Sequence, residues 1–218
     1  KVLRTLDGGQ SWRISQIPYW YPMRGVAIAT PTRVFSVGGV GYNRGIMAWS
    51  EDFGESWPHM DTFDFELRDI AFFGARTGLA AGYGAILKTT DGGQSWTYTP
   101  AKNEFFSALY LVDDELGYAV GRTGTILRTR DAGASWERLR NGNLPGPPHR
   151  YNDVFFEDAQ NGYIAGDRGL LLYTRDGGDH WSRLDWPVKV DLYAVRAWPD
   201  GRLWVSGAEG HLFELDPF

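Results

Sequence analysis

The sequence contains no cysteine, which excludes a disulfide frame and a thiol nucleophile. No apolar run comes near the length of about 18 residues that a membrane-crossing helix requires. Helical periodicity of useful length is missing, and no Ser/Gly-rich linker divides the chain, so all 218 residues read as one domain. Basic residues are outnumbered: 22 Lys and Arg face 27 Asp and Glu, a formal net charge of −5. That balance argues against a general nucleic-acid binder. The four histidines (His59, His149, His180 and His211) are scattered without ligand spacing. Neither a bound metal nor any other cofactor is expected.

What is abundant is tryptophan (10 residues) and glycine (28 residues), the composition of many short strands joined by tight turns. One stretch explains both. Thr89-x-Asp91-x-Gly93-x-x-Trp96 recurs as Thr5…Asp7…Gly9…Trp12, Ser50…Asp52…Gly54…Trp57, Thr129…Asp131…Gly133…Trp136 and Thr174…Asp176…Gly178…Trp181. The tryptophans step by 45, 39, 40 and 45 residues, the mark of a repeat architecture. Each copy reads as a hairpin corner. The Asp closes the turn by accepting hydrogen bonds from backbone N–H groups two residues on. The Gly takes a backbone conformation that a side chain resists, and the Trp ring folds under the turn. A set repeated five times is scaffolding rather than chemistry, since a reaction needs one site.

Around each corner lie four short strands, here lettered A to D, with the Asp corner between C and D. In residues 67 to 99 these are Leu67–Phe73, Leu79–Gly82, Ala85–Thr89 and Trp96–Thr99. Four antiparallel strands in about 35 residues make a propeller blade. The pattern yields five A, B and D strands but six C strands. About five blades are therefore expected, with Val2–Thr5 and His211–Leu215 competing for one place and Trp12–Ser15 closing the last blade. Closure would remove open sheet edges. The segment Asn141–Pro148 reads as a loop insertion between blades.

Gly117-Tyr118-Ala119-Val120-Gly121-Arg122-Thr123-Gly124-Thr125-Ile126-Leu127-Arg128-Thr129-Arg130-Asp131-Ala132-Gly133 closely resembles repeats of the photosystem II assembly factor (Ycf48-like) propellers. Residues 162–181 and 78–96 look the same. The wider class is the Asp-box, or bacterial neuraminidase, repeat. The resemblance implies an exported protein (periplasmic, thylakoid-lumenal or secreted) without catalytic activity that holds a polypeptide client. Propellers of that family usually have seven blades, which implies that this chain is a shortened or truncated relative.

Up-and-down connectivity puts A–B and C–D turns on one face, and B–C turns with inter-blade loops on the other. The second face collects Arg44, Arg122 and Arg168 from B–C turns, Arg24, Arg68 and Asn152 from the starts of A strands, and Arg150 beside His149. The planar guanidinium fork suits carboxylate recognition. The resemblance implies a client-binding role for Arg122 and Arg168, which occupy matching Gly-x-x-Gly turns. Arg24, Arg44, Arg68 and Arg150 join them on topology alone. The aromatic loop Tyr19-Trp20-Tyr21 offers binding anchors or a surface for sugar rings, and Phe63-Asp64-Phe65 forms a second such loop. A carbohydrate-active Asp-box propeller is the alternative. It would need two carboxylates about 5 to 9 Å apart from among Asp61, Asp64, Glu66, Asp69, Glu104 and Asp153, which scatter over several blades without forming an evident pair.

Overall fold

The structure is a computed structural model that describes residues 1–18, 20–139, 149–185, 187–198 and 201–215. Tyr19 and the insertion at 141–148 lie outside the described residues. Among the described residues nineteen strands run in chain order. The first two, β1 (Val2–Arg4) and β2 (Arg13–Ser15), pair with each other alone. A four-stranded blade follows: β3 (Met23–Ile28), β4 (Val34–Val40), β5 (Arg44–Ser50) and β6 (His59–Phe63). Next come β7 (Leu67–Phe73), β8 (Thr77–Thr89), β9 (Thr97–Leu111), β10 (Gly117–Gly121), β11 (Ile126–Thr129) and β12 (Glu137–Leu139), joined in one sheet. Then β13 (Tyr151–Phe156), β14 (Gly162–Gly166), β15 (Leu171–Thr174) and β16 (Ser182–Arg183) form another blade. Last is a three-stranded sheet of β17 (Leu192–Ala197), β18 (Leu203–Gly207) and β19 (Leu212–Leu215). Every pairing is antiparallel, and the architecture is a β-propeller. No helix of the described residues is long and apolar enough to cross a membrane.

Burial explains the sequence of each blade. The B strands β10 and β4 are buried along nearly all of their length, because neighbouring blades cover both of their faces. They accordingly read as unbroken apolar or small residues rather than alternating ones. The short D strands β12 and β16 lie mostly exposed at the rim. Core clusters form between blades: Phe35 and Val37 of one blade pack with Leu67, Ile70 and Leu87 of the next.

The Asp corners knit successive blades together. In each, the Thr or Ser hydroxyl accepts the Gly N–H four residues on, as Thr89 does from Gly93 at 2.9 Å. Asp91 accepts from the N–H groups of Gln94 and Ser95, at 2.9 and 3.0 Å. Its backbone donors are thus three and four residues on rather than two, because Thr89 takes the N–H of Gly93. Gly93 has φ +86, and a Cβ there would sit 2.3 Å from the Phe35 ring of the preceding blade. Gly133 meets Leu79 in the same way.

The six C strands do not compete for one place. Arg4 on β1 donates to the carbonyls of Asp52 and Phe53, and Trp57 Nε1 donates to Ser15 Oγ at 3.1 Å. Arg128 reaches the next Asp corner similarly, through the Gly177 carbonyl at 2.8 Å. The pair β1–β2 therefore occupies the blade position before β3–β6. The expected pairing of Trp12–Ser15 with the last blade is not seen among the described residues: β2 pairs with β1, and β19 pairs with β18. The sheets amount to four complete blades with an incomplete one on either side.

Long β8 and β9 weld two blades. Strand β9 leaves the rim of one blade as its D strand and enters the next as its A strand. It pairs with β8 on the way, through Ala85↔Lys102 and Tyr83↔Phe105. The sequence pattern leaves residues 100–104 as an inter-blade connection. In the structure they are strand, and Phe105 is drawn beside Tyr83.

Candidate functional site

The two faces are fixed by hydrogen bonds. Asp corners bond to A–B turns, as Gly92 N–H does to the Arg76 carbonyl at 2.8 Å and Ala132 N–H to Glu115 at 2.9 Å. B–C turns bond to the connection that enters the A strand, as Arg122 N–H does to Phe105 at 2.9 Å, Asp167 N–H to Arg150 at 3.0 Å and Ala208 N–H to Asp191 at 2.8 Å.

On this second face lies a cavity of about 390 Å³. Its construction rests on a device repeated in every A strand. The register of the A–B pair shifts once, skipping Arg24, Arg68, Ser107, Asn152 and Tyr193 in the five copies. Each skipped residue is a β-bulge, which re-aims one side chain out of the ladder. Four of the five, Arg68, Ser107, Asn152 and Tyr193, line the cavity. The B–C turns add Tyr83, Arg122 and Asp167, and the inter-blade connections add Arg150 and Asp191.

The charges are unevenly satisfied. Asp167 Oδ1 accepts from His149 Nδ1 at 3.1 Å and from the N–H of Arg150 at 3.0 Å. Asp191 accepts the N–H of Arg168 at 2.9 Å. Both carboxylates are thus occupied in holding turns. Arg68 pairs with Glu66 at 3.1 Å, while its buried Nε–H has no partner. Arg122 donates to the Tyr83 hydroxyl at 2.9 Å, and its guanidinium lies 5.5 Å from the centre of that ring. Among the described residues, the guanidinium of neither Arg122 nor Arg150 has a carboxylate partner. The cavity therefore presents guanidinium groups with unused donors around a tyrosine ring, which is chemistry for an anion, and for a carboxylate in particular.

Three of the six arginines singled out from the sequence meet here: Arg68, Arg122 and Arg150. Arg24 is turned to Glu66 at 3.4 Å, one blade away. Arg44 contacts the Tyr21 hydroxyl at 3.4 Å, and Arg168 pairs with Asp167 at 3.4 Å. Trp20 is fully exposed beside Gln16 and Ile17, away from the cavity, and Phe65 is buried in the core. None of the six carboxylates considered for glycoside hydrolysis lines the cavity. Glu66 holds Arg24 and Arg68, Glu104 holds Arg138, and Asp64 accepts from the Tyr98 hydroxyl at 2.8 Å.

Asp69 and Asp153, the residues after two of the bulges, fasten adjacent A strands. Asp69 accepts the N–H of Leu109 at 2.8 Å, and Asp153 accepts that of Val195 at 2.9 Å. Burial pushes the Asp69 carboxyl up to about 6 and also raises that of Asp153.

Two residues beside the cavity escaped sequence reasoning. Tyr42 stacks on Tyr83, with centroids 5.2 Å apart, and Phe105 meets Tyr83 edge-on at 5.6 Å. The available signal was a Gly-Tyr pair in the B–C turns of two successive copies, Gly41-Tyr42 and Gly82-Tyr83. Phe105 carried none, because its place depends on the β8–β9 weld.

Known proteins share this architecture. A YCF48 structure bound to D1 peptide is 22% identical, with a TM-score of 0.72, over 93% of this chain and 66% of that one. YCF48 from Cyanidioschyzon merolae is 17% identical, with a TM-score of 0.70, over 93% and 69%. An ancestral GH74 enzyme is 15% identical, with a TM-score of 0.75, over 97% of this chain but only 33% of that one. The chain thus spans about two thirds of the length of the YCF48 structures it resembles. Comparison with curated protein sequences finds no match. Residues 53–152 and 103–194 match the model of one sequence family. That match takes in most of the repeats and every residue of the cavity lining, and by it the chain belongs to the family described as Photosynthesis system II assembly factor YCF48.

Proposed function

We propose that this chain is a non-catalytic adaptor that binds an acidic segment or a chain terminus of a polypeptide across its arginine-bearing face. One observation carries the reading: Arg68, Arg122 and Arg150 converge on one cavity, and among the described residues the guanidinium groups of Arg122 and Arg150 lack a carboxylate partner. The family supports the same direction, since one of its members has been solved with a bound peptide. The role proposed from the sequence for Arg122 stands at the cavity wall. That for Arg168 belongs to the rim, where its N–H and guanidinium serve Asp191 and Asp167. Site of action outside the cytoplasm follows from the same family resemblance. The GH74 likeness is one of fold.

The test is an array of acidic peptides with free or amidated C-termini, probed with wild type and with the Arg122→Glu/Arg150→Glu double variant. Wild type is expected to retain a subset of peptides that the double variant loses, with its melting unchanged. Arg168→Glu should weaken binding by a few-fold only. Retention of every peptide by the double variant would exclude the cavity as the site.

A further inference from the structure

Tyr42 and Phe105 are half-exposed or more, at 58% and 45%, although both rest on the buried Tyr83. Their rings meet at 85° with centroids 6.5 Å apart, so that they form a floor and a wall. Tyr42 also shares the backbone of other B–C turns, where Arg168 and Glu209 have φ +54 and +60. Its φ is +66, a left-handed value that a bulky residue rarely adopts. The turn is locked there because the Tyr42 carbonyl accepts the N–H of Glu66, from the next connection, at 3.0 Å.

The surroundings select an occupant. The guanidinium groups of Arg68 and Arg122 lie 5.1 and 5.5 Å from the Tyr83 centroid, on the same ring that carries Tyr42 and Phe105. A cationic side chain would be repelled there. Glu66 and Glu104 are taken by arginines, and in the cavity lining Asp167 faces His149 and Arg168 while Asp191 accepts the Arg168 N–H. An uncharged apolar ring or branched side chain, flanked by carboxylate, fits both the corner and its charge. An extended peptide advances about 3.3 Å per residue, so the two contacts fall within about three residues of one another.

We infer that the Tyr42–Phe105 corner is a specificity pocket for an aromatic or branched apolar side chain within about three residues of the carboxylate that the arginines hold. The inference rests on the reading of the cavity as a carboxylate site. It makes the recognised element a short acidic–apolar motif rather than negative charge alone.

Fluorescence anisotropy with four hexapeptides tests it. All consist of Ser and Glu with a free C-terminus, and they differ only in carrying Phe, Leu, Ser or Lys two residues before the last carboxylate. Wild type should bind the Phe peptide about tenfold more tightly than the Ser peptide, and the Lys peptide most weakly. A Tyr42→Asn/Phe105→Ser variant should bind the Phe and Ser peptides within about twofold of each other, while Arg122→Glu loses all four. Asn tolerates the left-handed turn, and the ranking by wild type stands as a result even if the variant fails to fold. Binding that depends on Arg122 but is equal for Phe and Ser peptides would overturn the pocket and leave the carboxylate site intact. Failure of wild type to bind any of the four would remove both. Removal by the double variant of binding to a neutral oligosaccharide, with peptides unaffected, would also overturn the inference.

Discussion

The two faces of this propeller are built from the same repeat under opposite rules. On the Asp-corner face the five copies are nearly interchangeable: hydroxyl, carboxylate and glycine recur with the same bonds, and only the indole N–H varies, bonded in Trp12 and Trp57 and without a partner in Trp96, Trp136 and Trp181. On the other face the five bulge positions hold Arg24, Arg68, Ser107, Asn152 and Tyr193, and the turns beside them differ as widely. One face spends its residues on joining blades, and the other leaves guanidinium donors unused around a cavity. The difference teaches that in a repeat fold the place to look for function is where equivalent positions stop being equivalent.

Four measurements sharpen or break that contrast. The largest effect is expected within the Asp-corner face itself. Trp57 is 2% exposed and Trp12 is 56% exposed, though both occupy the same motif position. Trp57→Ala should cost about 3–5 kcal/mol and Trp12→Ala less than about 1 kcal/mol, measured by chemical denaturation. Equal costs would show that the motif acts through its turn rather than through packing. Next, Gly93→Ala combines a left-handed backbone with a collision against Phe35, and should destabilise by about 3 kcal/mol. Gly210 on the other face also has positive φ, but nothing lies within 4 Å of its Cβ direction. Gly210→Ala should cost only about 1 kcal/mol.

The third measurement is of pH dependence, where the faces carry opposite signs. Burial raises Asp69 to about 6, so the folded protein holds that proton more tightly than the unfolded chain does. Its contribution is full below the ordinary carboxylate range and is lost as pH rises through about 6. Asp7 is lowered to about 2 by its bonds from Ser11, so its contribution is present above the ordinary value and lost as pH falls toward 2. Urea midpoints between pH 3 and 7 should show Asp69→Asn removing the decline between about pH 4 and 6 while leaving the acid limb in place. An unchanged decline would assign it to other groups. Smallest of all is the effect on stability of Arg122→Glu/Arg150→Glu, which should stay within about 0.5 kcal/mol. A larger loss would mean that these arginines support the fold.

Much of the propeller could be read from residue spacing, since hairpin corners and apolar B strands are local patterns. The division into two faces also followed, because it needs only strand order. Arg68, Arg122 and Arg150 were reachable by that route. The choice among six arginines was not, because it turns on which carboxylates are already engaged: Glu66 faces Arg24 and Arg68 together, and Asp167 faces Arg168. The bulges were invisible because an extra residue in a strand changes pairing and not composition. The weld that brings Phe105 to Tyr83 was hidden for a related reason. Asn103, with φ +63, interrupts the alternation there and reads as loop. The separate place of β1–β2 depended on contacts such as Arg4 with Asp52 that no repeat count contains.

The extra residue in each A strand has a wider consequence. It stands outside the A–B ladder, so the pairing of those two strands makes no demand on its identity, although Asn152 also ties its blade to the next through the Leu192 carbonyl. A ring of such positions behaves as a set of independent dials on a fixed instrument. Descendants of one ancestral repeat could thus acquire new clients by turning single dials, with the folding of the disc untouched.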